Sequence, residues 1–142
     1  MIETRPTLAY GFVADLYVIV HRTKRASDED WQGMRRHMHA QETVSRLLVM
    51  TRGASLHSIQ RRQARELCER HGMRVGVLGD ARLARGMPAV PDWFGSDAKG
   101  FRAHDMTGAL TYLERSQMYT RLVRMLAPKP SGPRLEALAP CG

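Results

Sequence analysis

The chain has 142 residues, the length of one domain. Its 43% hydrophobic and 25% charged residues exclude collagen-like, low-complexity and wholly disordered chains. The net charge is +8, and of the 22 basic residues only Lys24, Lys99 and Lys129 are lysines.

Residues 1–7 read as a lead into the domain. They contain no apolar signal core, and the longest early apolar run, Leu16–Val20, is too short to cross a bilayer. The expectation is a cytoplasmic protein without a membrane segment. Leu8–His21 is rich in β-branched and aromatic residues and reads as strand, or as two strands turning near Ala14–Asp15. A polar loop, 22–26, follows. Ser27 is a good N-cap, with Asp28, Glu29 and Asp30 where acids suit the helix dipole. Trp31, Met34 and Met38 at helical spacing extend that helix to about Thr43.

Arg46–Thr51 is a short apolar strand. The loop Arg52–Ser55 then opens a helix over Leu56–His71, whose apolar face reads as Leu56, Ile59, Ala64, Leu67 and Cys68. Gly72 suits a left-handed helix stop. Arg74–Leu78 is the next strand, Gly79–Asp80 turns into a short helix at 81–85, and the aromatic pair Trp93–Phe94 is expected to dock on the core. Gly100–Ala103 is a short last strand. Asp105 caps a helix with Met106, Ala109, Leu110 and Leu113 on one face. The pattern restarts at Tyr119, Leu122, Val123 and Leu126, as one long helix or as two joined near Ser116. Four prolines and two glycines in 127–142 predict a disordered tail. Strands alternating with helices imply one α/β domain over 8–126, with a mixed, mostly parallel sheet of four or five strands.

This order resembles the STAS, or anti-sigma-factor-antagonist-like, fold over about Tyr10 to Leu113. The resemblance rests on RLLVMTRGASLHSIQRRQARELCE, on VGVLGD, and on WFGSDAKGFRAHDMTGALTYL. It implies a regulatory binding module of bacterial signalling whose partner, a kinase or regulator, meets the loop and helix start after the central strand. It also implies a phosphorylated hydroxyl there, at the positions held by Ser55 and Ser58. The usual acid–Ser–Ser/Thr–Gly signature is replaced by Thr51-Arg52-Gly53-Ala54-Ser55, which argues against that switch.

The residues themselves make the same loop the best candidate site. A strand-to-helix turn offers free backbone N–H groups. Arg52 adds charge, Gly53 permits close approach, and Ser55 and Ser58 add hydroxyls; alternatively Ser55 merely N-caps the helix. Arg61 and Arg62 extend the surface, and Asp80 lies at the next strand end. No Walker A ending and no G-x-S-x-G elbow accompany these residues. His37 and His39 diverge on a helix, and Cys68 and Cys141 lack metal spacing, so neither a metal nor another cofactor is expected.

Three functions compete. The first is a non-enzymatic interaction module acting through 52–58, with a homodimer through the apolar stripe of 116–126 as a further option. The second is a small anionic-ligand or nucleotide-binding domain, with an enzyme as one option, in which Arg52, Ser55, Asp80 and Asp105 converge at strand ends. Nucleic-acid binding ranks last, because the arginines are interleaved with acids, as in Arg61, Arg62, Arg65 and Arg70 beside Glu66 and Glu69.

Overall fold

A computed structural model describes residues 2–41, 44–79 and 97–126. The domain is α/β, with a six-stranded mixed sheet whose spatial order follows the chain. The strands are β1 (Ile2–Thr4), β2 (Leu8–Val13), β3 (Leu16–His21), β4 (Arg46–Met50), β5 (Arg74–Gly79) and β6 (Ala98–Arg102). The pairs β1–β2 and β2–β3 are antiparallel, and β3–β4, β4–β5 and β5–β6 are parallel. The expected four or five strands thus become six. The extra one, β1, falls in the segment read as a lead: it is three residues long and half exposed, so it has no apolar alternation to betray it.

The hairpin predicted at Ala14–Asp15 forms, with Val13 opposite Leu16. Ala14 takes a left-handed φ of 56° there. Asp15 accepts two hydrogen bonds from the Arg115 guanidinium, at 3.0 and 2.8 Å, which ties the hairpin to the far end of the chain.

Alternation along the strands divides the core. Leu8, Tyr10, Tyr17, Ile19, Leu47, Val49, Val75 and Val77 face one side. There they meet helix α1 (Asp28–His39), through Trp31, Met34 and Met38, and helix α2 (Ser58–His71), through Ala64, Leu67 and Cys68. Val18, Val20, Leu48, Leu78 and Phe101 face the other side. They are covered by helix α3 (Met106–Tyr112), the 3-10 turn Ser116–Met118 and helix α4 (Tyr119–Leu126). The choice left open by the sequence resolves as two helices with a joint at Ser116. Gly76 lets α3 close on β5, since a Cβ there would stand 3.3 Å from Leu113 Cδ1. On α4, Leu122 is buried, whereas Tyr119 and Val123 remain 43% exposed.

Helix ends follow the caps read in the sequence. Ser27 Oγ accepts from Asp30 N at 3.1 Å, Asp105 accepts from Gly108 N at 2.9 Å, and Gly72 ends α2 at φ 61°. Helix α1 stops at His39, earlier than the expected Thr43. The short helix at 81–85, the Trp93–Phe94 pair and the tail 127–142 lie outside the described residues.

Asp30 is only 4% exposed, and its carboxylate accepts from Thr7 N at 2.8 Å and Thr7 Oγ1 at 2.5 Å. Burial works against its charge, but the bonds from Thr7 win and hold the carboxyl below its ordinary range. This contact pins the β1–β2 turn to the start of α1. Asp30→Ala is expected to cost about 2–3 kcal/mol, because it strands two Thr7 donors. Urea unfolding checks it, as a lower midpoint at unchanged slope.

Candidate functional site at the carboxyl end of the sheet

The sharpest local feature is the exit from β4. Thr51 is buried, and both its N–H and its hydroxyl donate to Leu78 O, at 2.9 and 3.1 Å, one step beyond the β4–β5 ladder. The chain then reverses in a two-residue turn closed by Ala54 N donating to Thr51 O at 2.8 Å. Both central residues have positive φ, Arg52 at 50° and Gly53 at 82°. That is the type I′ pattern, in which Gly is at ease and Arg is strained. Arg52 is therefore held in a backbone conformation its own preferences disfavour.

From Ala54 to His57 the chain is extended. Ala54 and Leu56 enter the core, and Ser55 and His57 face out. This corrects two expectations. Helix α2 begins at Ser58 rather than Leu56, and its N-cap is His57 rather than Ser55. His57 Nδ1 accepts from Gln60 N at 3.2 Å, while its Nε2 lies 3.1 Å from Asp28 Oδ1 at the start of α1. Ser55 N donates to Lys24 O at 3.0 Å. Gln60, 2% exposed, donates from Nε2 to Ala26 O at 3.1 Å. The two strand-to-helix loops are thus stitched together by three contacts.

A further correction concerns Ile59, which was assigned to the apolar face but is 51% exposed. The buried positions of α2 are Gln60, Ala64, Leu67 and Cys68, at i, i+4, i+7 and i+8, so Ile59 points about 125° away from the centre of that stripe. Arg52, Gly53, Ser55, Ser58, Ile59, Arg61 and Arg62 are all exposed along the ridge of chain that runs from the β4 exit into α2. Asp80 lies outside the described residues. Asp105 already caps α3. Sequence reasoning missed Gln60, although the i, i+4, i+7, i+8 spacing pointed to it. It also missed His57 as a cap, because imidazole is outside the usual capping set.

His21, the last residue of β3, is 3% exposed, and its Nδ1 has no hydrogen-bond partner among the described residues. Burial pushes its imidazole down to about 4. The adjoining core cavity of about 20 Å³ has room for one water, so it is a packing void and not a substrate pocket. The other histidines diverge as expected: His37 Nδ1 lies 2.7 Å from Tyr17 OH, and His39 faces His71. Burial pushes the Cys68 thiol up to about 12, which leaves it protonated and a poor nucleophile at neutral pH. Among the described residues there is no group of three metal-ligating side chains, and no helix is long and apolar enough to cross a membrane.

Comparison with known proteins adds no relative. The chain matches no protein-family model, no curated protein and no solved structure.

Two expectations follow from this geometry. Arg52→Asn creates the Asn-Gly pair that type I′ turns favour and should raise stability by about 0.5–1 kcal/mol, read as a higher thermal midpoint. The second concerns His21. The unfolded chain takes up this proton near pH 6.5 and the folded chain only near 4, so stability should fall as pH drops through that window. The loss should reach about 3 kcal/mol in denaturant titrations at pH 7 and pH 4. His21→Phe should remove most of this slope; an unchanged slope would contradict the assignment.

Proposed function

We propose that this chain is a non-enzymatic regulatory module that binds a protein partner through the ridge from Arg52 to Arg62. The observation that carries the reading is the combination of a fixed backbone with an exposed, mixed surface. Ile59 offers an apolar contact at the centre. Arg62, three positions along α2, adjoins it with positive charge, and Arg52, Arg61, Ser55 and Ser58 are exposed on the same stretch of chain. Apolar centres with a charged surround are how protein interfaces are built, and a preordered ridge loses little entropy on docking. The complementary partner is acidic around a small apolar socket.

The resemblance to anti-sigma-factor antagonists supports the same location. Ser58 is the first residue of α2, and Arg61 and Arg62 lie three and four positions on, on the same helical face. A phosphate on Ser58 sits at the favourable end of the helix dipole, pairs with those arginines and cancels the positive face. The resemblance implies that modification there switches off binding of an acidic partner, although the family's acid–Ser–Ser/Thr–Gly signature is absent from this chain.

The double variant Arg61→Glu/Arg62→Glu tests the reading. Affinity capture on the wild-type chain should retain an acidic partner that elutes with rising salt, and the double variant and Ile59→Asp should both lose it. Thermal midpoints should stay within experimental error, since all three side chains are exposed. Identical retained proteins for wild type and both variants would reject the ridge.

A further inference from the structure

The last turns of α1 and α2 bring together two histidines that are far apart in the chain. Trp31, Arg35 and His39 follow one another four residues apart, so they form one row along α1. Gln63, Leu67 and His71 form the matching row along α2. Near the start of the seam Trp31 Nε1 donates to Gln63 Oε1 at 2.9 Å. At its far end the His39 and His71 rings meet, with centres 6.4 Å apart and planes tilted by 53°. Both helices are anchored in the core, through Trp31, Met34 and Met38 and through Ala64, Leu67 and Cys68, so the two rings stand on a firm base.

His71 Nε2 is shielded from solvent and has no hydrogen-bond partner among the described residues. A polar atom left dry in this way normally has a partner, and an ion between the rings supplies one. His39 is exposed, so an ion reaches the pair from its side. Burial first, then the like charges of His39 and Arg70, lower the proton affinity of His71. The neutral imidazole, which is the form that binds a metal, therefore prevails at pH 7. Two helices end here, and their carbonyl ends favour a cation.

The ring separation selects the metal. A nitrogen–metal bond of about 2.0–2.1 Å sets an ion about 3.2 Å from the centre of the ring that holds it. A separation of 6.4 Å is that of two rings on opposite sides of one ion. Tetrahedral Zn²⁺ would draw the centres to about 5 Å. Opposed ligands suit the square-planar geometry of Cu²⁺, which also heads the affinity order for imidazole.

We infer that His39 and His71 hold one Cu²⁺ ion between them, with water in its remaining positions. The ion bridges two helices and clamps the far end of their seam. The 14 residues of α2 separate it by about 20 Å from the partner ridge, so it goes beyond that reading and does not rest on it. The His-x-His spacing does not reveal the site, because His37 turns its Nδ1 to Tyr17 OH and the true partner of His39 lies on another helix.

Copper titration of the full chain, read by calorimetry and by electron paramagnetic resonance, tests the inference. The first equivalent of Cu²⁺ should give a square-planar signal coupled to two nitrogens, and it should bind more tightly than Ni²⁺ or Zn²⁺. His39→Ala and His71→Ala should each weaken it by at least the roughly tenfold that loss of a mere outer-shell partner costs, and should leave one coupled nitrogen. His39 is exposed, so the metal-free His39→Ala variant should keep the wild-type thermal midpoint. His104→Ala, which removes another exposed histidine, should leave the affinity and the signal unchanged. Arg61→Glu/Arg62→Glu should bind copper as the wild type does, so failure of this site and failure of the ridge are read separately. Undiminished binding in the His39→Ala/His71→Ala double variant overturns the inference, as does a first-equivalent signal coupled to a single nitrogen in the wild type.

Discussion

Gln60 stands in the first turn of α2 with its side chain buried, and its amide donates to the carbonyl of Ala26 across the gap between two strand-to-helix loops. A buried amide that loses its partner costs roughly 1–3 kcal/mol, so neither loop can move without breaking the bond or carrying the other along. Ser55 N to Lys24 O and the His57–Asp28 contact reinforce the join at the surface. The position of every exposed residue from Arg52 to Arg62 relative to α1 depends on this stitch.

The parallel ladder explains why charge gathers here. Strands β3 and β4 point the same way, so Arg22 and Arg52, each just past a strand end, arrive at the same edge of the sheet. The turn of Arg52–Gly53 leads to the start of α2, and Arg22, just after β3, is held by Thr7 O and Arg5 O. Two of the chain's arginines therefore share one end of the sheet. Several other arginines are paired with acids: Arg46 lies 2.6 Å from Glu114, Arg115 lies 2.8 Å from Asp15, and Arg65 lies 3.4 Å from Glu69. Such exposed pairs contribute little to stability but do neutralise the surface.

Much of this fold was legible because its signals are local. Ser27, Asp105 and Gly72 mark helix ends by side-chain chemistry or by freedom of φ, and the apolar strands announce themselves by composition. What failed depended on distant parts of the chain. Strand β1 exists because β2 offers it an edge, and nothing within Ile2–Thr4 says so. Leu56 is apolar and was counted into α2, yet it enters the core from an extended segment, since Ser55 is held by Lys24. Ile59 was given to the core on hydrophobicity alone, whereas the stripe is fixed by Gln60, a polar residue whose buried partner sits on another loop. Arg52, Gly53, Ser55, Ser58, Arg61 and Arg62 all fall on the turn after β4 and the first turns of α2, as their order in the chain requires.

The central claim is that the ridge is ordered before any partner arrives. Residue-resolved hydrogen exchange on the free chain tests it most directly. The Ala54, Ser55 and Gln60 amides each donate within the stitched loops, to Thr51 O, Lys24 O and His57 Nδ1. They should exchange as slowly as the amides of β4 and β5, since opening them requires parting the same core. Exchange at the rate of an unstructured loop, with β4 and β5 still protected, would contradict the account.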